Sequence, residues 1–143
     1  MKADAKTEAE VMSVLDKMRE CYEKRDLNGL LALFATDADL VAIGSGADEK
    51  CIGPTQLKAQ LERDFTQSES LTINYEWLSI SAAGSVAWMA ADCVFNARIG
   101  GEEMILRGRL TGVLEKREDR WFFMQQHLSM PSVEQQEGQS FPA

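Results

Sequence analysis

A chain of 143 residues that is 45% hydrophobic is long enough for one domain with its own core. Its formal charge of -8 and pI near 4.7 create an average field that repels nucleic acid and anionic membrane surfaces, so neither is expected as a partner. The three cysteines, Cys21, Cys51 and Cys93, are odd in number and lack Cys-x-x-Cys spacing; no disulfide framework and no metal site are expected, and a reducing cytoplasm is the expected location.

The first residues, MKADAKTEAE, lack the apolar stretch of a signal peptide, and no segment has the length of a membrane span. Residues 7 to 24 place Val11, Val14, Leu15, Met18 and Tyr22 at helical spacing, behind Thr7 as a cap and Glu10 as its capping-box partner. RDLNGLLALF predicts a short second helix capped by Asp26, and DLVAIG a short apolar strand. Gly44, Gly46 and Gly53 punctuate the next loop. Pro54 opens a third helix carrying Leu57, Leu61 and Phe65 and ending near Ser68. From Leu71 onward the pattern alternates, and the turn signals AAGS, GG and RED cut it into strands near 71 to 82, 85 to 99, 102 to 116 and 120 to 130.

This order, with the phrases KRDLNGLLALFATDADLVAIG, a Gly-Pro before the third helix, and RLTGVLEKREDRWFFMQQHLSMP, resembles the nuclear transport factor 2-like superfamily in its SnoaL-like branch. The resemblance implies an α+β cone over residues 1–131: three N-terminal helices packed on a curved antiparallel sheet around an internal cavity, followed by a polar tail, 132–143. It leaves the chemistry open, because the superfold hosts isomerases, dehydratases, cyclases, hydrolases, carriers and oligomerisation modules. Aligning through DLNGLLALF sets Met18 and Ile43 where the ketosteroid isomerases of this superfamily carry a tyrosine and an aspartate, which disfavours that reaction. The ending Trp121, His127, Ser129 is similar to that of the association domain of the calcium/calmodulin-dependent kinases.

Turn positions fix which side chains lie opposite one another. With turns at Ala83-Gly84, Gly100-Gly101 and Arg117-Glu118-Asp119, one row reads Tyr75, Asp92, Arg109, His127, on a face that also carries Trp77, Trp88, Trp121 and Phe123. That polar and aromatic face is expected outside, as a homodimer interface. The other face carries Asn74, Glu76, Met89, Ala91, Leu110, Met124 and Gln126; being mostly small and apolar, it is the face for the helices and for a small apolar ligand.

His127, with Arg109 and Asp92, reads as a hydrogen-bonded interface cluster; the rival reading makes Asp92 or His127 a catalytic base. Glu76 is the third catalytic candidate, since a carboxyl among apolar groups has its proton affinity raised by desolvation. No cofactor is implied. Function is expected to be the binding of a small, mainly hydrophobic molecule by a dimer, with an acid/base enzyme and a pure oligomerisation module as alternatives.

Overall fold

The structure, a computed structural model, describes residues 1–142. Helix α1, Ala5–Glu23, starts one step before its apolar stripe because Asp4, in extended conformation, accepts from the Thr7 N–H at 2.7 Å. Thr7 is thus capped rather than capping. Glu10 turns instead toward the sheet. The stripe Val11, Leu15, Met18, Cys21 is buried. Helix α2, Leu27–Leu31, is capped by Asp26 as its sequence predicts, at 2.9 Å from the Gly29 N–H. After β1, Val41–Ile43, and β2, Lys50–Ile52, helix α3 spans Pro54–Thr66 with Pro54 in its first turn and Leu57 and Leu61 buried.

Four long strands follow: β3 Ser70–Ala83, β4 Val86–Ile99, β5 Glu102–Arg117 and β6 Arg120–Ser129. The sheet order is β2-β1-β6-β5-β4-β3. The meander is antiparallel, but β1 pairs parallel to β6, with Val41 beside Gln125 and Ile43 beside His127, so the sheet is mixed. Strand β2 lies in the glycine-punctuated stretch that carries no strand pattern of its own; it forms by pairing back on β1. At the far edge, Met1–Ala3 bond to β3 through Ala3 N–H to Ile80 O at 3.2 Å and Ala82 N–H to Met1 O at 3.0 Å, covering part of an open strand edge.

The Gly100-Gly101 turn holds as read, with both glycines at positive φ and Asp92 opposite Arg109. The other two registers differ from expectation. Ala83 pairs with Val86, and Arg117 pairs with Arg120 around Glu118 and Asp119, both at positive φ as a two-residue hairpin turn requires. Two β-bulges add to this, between Tyr75 and Trp77 and at Met124 between Phe123 and Gln125. A bulge shifts the two-residue side-chain period by one, so the chain changes face at each.

The row expected as Tyr75, Asp92, Arg109, His127 is therefore Trp77, Asp92, Arg109, Ser129, and His127 stands in the next row opposite Thr111. Tyr75, Trp121 and Phe123, expected on the outer face, point to the helices: Tyr75 pairs with Cys93, Trp121 is 6% exposed and Phe123 is fully buried. No helix among the described residues is long and apolar enough to cross a membrane.

Candidate functional site

The inward side chains between helices and sheet are buried at one end and partly exposed at the other. At the end where α1 begins, the inward residues Ile80, Ala87, Leu114, Trp121 and Phe123 are buried. Glu10 fastens this end, accepting from Lys116 Nζ at 2.9 Å and Trp121 Nε1 at 2.7 Å, contacts that hold its carboxyl below the ordinary value. Gly112 leaves no void here, since a Cβ on it would lie 2.8 Å from Phe123 and 3.3 Å from the Met89 sulfur.

Where α1 ends, the inward side chains stay partly exposed: Phe95, Leu106, Gln126 and Leu128 from the sheet, Tyr22 from α1, Asp64 and Phe65 from α3. Phe95 and Leu128 close over Gly108, whose added Cβ would meet them at 3.3 and 3.1 Å, forming an apolar wall. The last turn of α3 is held against the α1–α2 connection by Arg25, at positive φ, which donates to the carbonyls of Phe65 and Ser68 and lies 5.1 Å above the Phe65 ring. Tyr22 meets Phe65 edge-on at 5.9 Å.

Asp64 is the polar group of this end. It follows Leu57 and Leu61 on the inward stripe of α3 and accepts from Gln60 Nε2 at 2.8 Å. The neighbouring cation, Arg63, is engaged elsewhere, with Asp48 at 2.8 Å and Glu49 at 3.1 Å. Burial pushes the Asp64 carboxyl up, and Glu49 adds to this against the Gln60 bond. Burial likewise raises the Tyr22 phenol, with the Asp64 charge contributing. No fully buried side-chain nitrogen or oxygen among the described residues lacks a partner.

Of the residues expected to meet a ligand, Met89, Ala91 and Leu110 face inward but are core, at 2–5% exposure. Gln126 faces inward and donates toward the Met18 sulfur at 3.5 Å. Met124 bulges outward against Arg117, 3.6 Å from sulfur to Nη2. Glu76 and Asn74 do not line the interior. Glu76 sits at the β3 bulge, 55% exposed, paired with Arg107 at 2.9 Å, and Asn74 is exposed beside Arg19. Cys93 is buried, and its thiol, pushed up to about 11 by burial, is a core group.

The outer sheet face gathers Trp77, Trp88, Asp92, Arg109 and His127, all exposed. Asp92 and His127 lie on β4 and β6 with β5 between them, in different rows, and form no acid/base pair. Trp88, Ala90, Thr111, Val113 and Gln125 line a groove of about 270 Å³ on this face. Among the described residues, no group of three histidine, cysteine or carboxylate side chains is placed to hold a metal.

Asp64 is the residue of this end that patterning overlooked, and a carboxylate three positions after Leu61 on an apolar stripe is the signal that marks it; Tyr22 was read only as part of the α1 stripe.

A SnoaL-like domain model matches residues 11–132. Among curated proteins none matches the chain. Among solved structures, a nuclear transport factor 2-like superfamily protein from Salmonella enterica serovar Typhimurium has a TM-score of 0.85 at 18% identity, over 97% of this chain and 100% of its own. A candidate scytalone dehydratase from Novosphingobium aromaticivorans has a TM-score of 0.79 at 16% identity, over 88% of this chain and 85% of its own. A candidate calcium/calmodulin-dependent protein kinase II association domain from Xanthomonas campestris has a TM-score of 0.77 at 19% identity, over 87% of each chain. At such identities the likeness is one of fold.

Proposed function

The chain belongs to the SnoaL-like domain family, and from that premise we propose that it binds a small, mainly apolar molecule at the open end of its helix–sheet interior and works as a homodimer. The observation that carries the binding reading is that inward apolar side chains, Phe65, Phe95 and Leu128, stay partly exposed at the end that also holds a half-buried carboxyl, Asp64, and a phenol, Tyr22. Apolar walls with a few convergent polar groups are the usual make-up of a small-molecule site. The dimer reading rests on Trp77 and Trp88, 54% and 39% exposed on one sheet face, an aromatic area that water does not favour. Three free thiols, all buried, fit a reducing compartment.

Titration with N-phenyl-1-naphthylamine, a neutral apolar fluorophore, tests the site. One probe per chain is expected to bind, and Leu128→Trp, which fills the open end, is expected to abolish binding without loss of the folded circular dichroism spectrum. Unchanged binding in that variant overturns the location, and no binding by the wild-type protein overturns the reading itself. In that case the packing of Phe123 into the space beside Gly112 favours the oligomerisation role. Light scattering that returns a monomer at micromolar concentration removes the dimer.

A further inference from the structure

Resting on the dimer reading, we infer that the second copy packs on the outer sheet face about a two-fold axis parallel to the strands, between β4 and β5, so that Asp92 of each chain meets Arg109 of the other. Asp92 and Arg109 are direct cross-strand neighbours, exposed on the face that carries Trp77 and Trp88, and they form no ion pair with each other or with any described residue. Two neighbouring cations of the sheet are matched within the chain: Arg107 holds Glu76 at 2.9 Å and Arg117 holds Glu115 at 3.1 Å. One unmatched acid and one unmatched base, side by side, make a patch that is complementary to itself.

The charges select the direction of the axis. Two copies of a sheet face can stack about an axis across the strands or along them. An axis across the strands through this row sets Asp92 on Asp92 and Arg109 on Arg109, which repel. An axis along the strands exchanges β4 with β5, so each carboxylate faces a guanidinium and both pairs form at once. The same operation carries β3 over β6 and sets Trp88 of the partner subunit against Val113, in the groove bounded by Thr111, Val113 and Gln125. Trp77 is carried over Ser129, a small residue in its own row. Charge and shape therefore point to one arrangement, with tryptophans filling grooves around a central pair of ion pairs.

Charge reversal tests this arrangement, because the two single reversals repel within their own dimers and attract across a mixed one. Arg109→Asp and Asp92→Arg, each alone, are expected to raise the dimer dissociation constant about a hundredfold or more and to elute as monomers where the wild-type protein is dimeric. An equimolar mixture of the two is expected to restore dimer mass as a heterodimer. Asp92→Lys with Arg109→Glu provides an independent pair if either first variant is unfolded by circular dichroism. Single variants that remain dimeric, or a mixture of folded variants that remains monomeric, overturns the pairing while leaving the dimer itself standing. A wild-type monomer overturns both.

Discussion

At the end of the interior where α1 begins, Ala87, Leu114, Trp121 and Phe123 are sealed between helix and sheet and Glu10 is satisfied by two donors; at the end where α1 finishes, Phe95, Leu106 and Leu128 on the same strands stay partly exposed and Asp64 lacks a cation. The difference follows from what covers each end. The first has α1 and the β1-side connection laid directly on it, with Ala35 N–H bonded to Phe123 O and Phe123 N–H to Leu33 O, both at 2.9 Å. The second is roofed by the last turns of α1 and α3, which touch through Tyr22 and Phe65. One end is therefore sealed core, and at the other the inward side chains keep contact with solvent.

The largest expected effect separates the two ends directly. Phe123→Ala is expected to cost about 3–5 kcal/mol, the range for deleting a fully buried ring, and Phe95→Ala roughly half as much because part of that ring already meets water. Urea unfolding of both variants reads the difference; equal losses would mean that the open end is as tightly packed as the closed one.

Next in size is the glycine pair. Gly112→Ala must displace the Phe123 ring from 2.8 Å, and about 1–3 kcal/mol is expected for such overpacking. Gly108→Ala meets the flexible end of Leu128 at 3.1 Å, together with the Ser129 carbonyl, and a smaller loss is expected. Thermal melting of the two variants is the measurement, and a reversed order would place the rigid packing at the wrong end.

The smallest effects are in pH dependence, where the two carboxyls have opposite signs. Glu10 is held below its ordinary value of 4.5, first by the Lys116 bond, so its contribution is present above that pH and is lost as pH falls through the lower folded value. Asp64 is raised above its ordinary value of 3.8, first by burial, so the fold loses stability as pH rises from 3.8 through the raised folded value. Glu10→Gln is expected to be less stable than wild type at pH 7 and to converge with it in acid, whereas Asp64→Asn is expected to gain stability at pH 7 and converge in acid. Denaturant midpoints between pH 3 and pH 7 check both signs, and parallel profiles would remove the contrast.

Local signals carried much of this fold. Asp26 and Pro54 mark helix starts through a side-chain oxygen and a fixed φ, and Gly100-Gly101 marks a hairpin through positive φ, so α2, α3 and the β4–β5 register are legible residue by residue. Asp64 was overlooked, although its spacing from Leu57 and Leu61 sets it on the same helix stripe. The bulges at Glu76 and Met124 were not legible, because an extra residue in a strand has no composition of its own. Their effect on the candidate site is large, since at the β3 bulge Glu76 leaves the interior and Tyr75 enters it; the two-residue Glu118-Asp119 turn separately brings Trp121 and Phe123 inward.

What the amino-acid sequence determined by itself is the family, the order of helices and strands, and the middle hairpin with Asp92 opposite Arg109, since each depends on residues close together in the chain. The tertiary structure alone decided which face each end of β3 and β6 presents, the parallel pairing of β1 with β6, the pairing of β2, and the turning of Glu10 from capping box to sheet anchor. Those outcomes depend on what a distant segment offers: a partner strand for orphaned backbone groups, a lysine and an indole for a carboxylate, a core that takes one face of a ring and not the other. Alternation along a strand says that two faces exist; only the curvature of the sheet over its helices says where the chain crosses from one to the other.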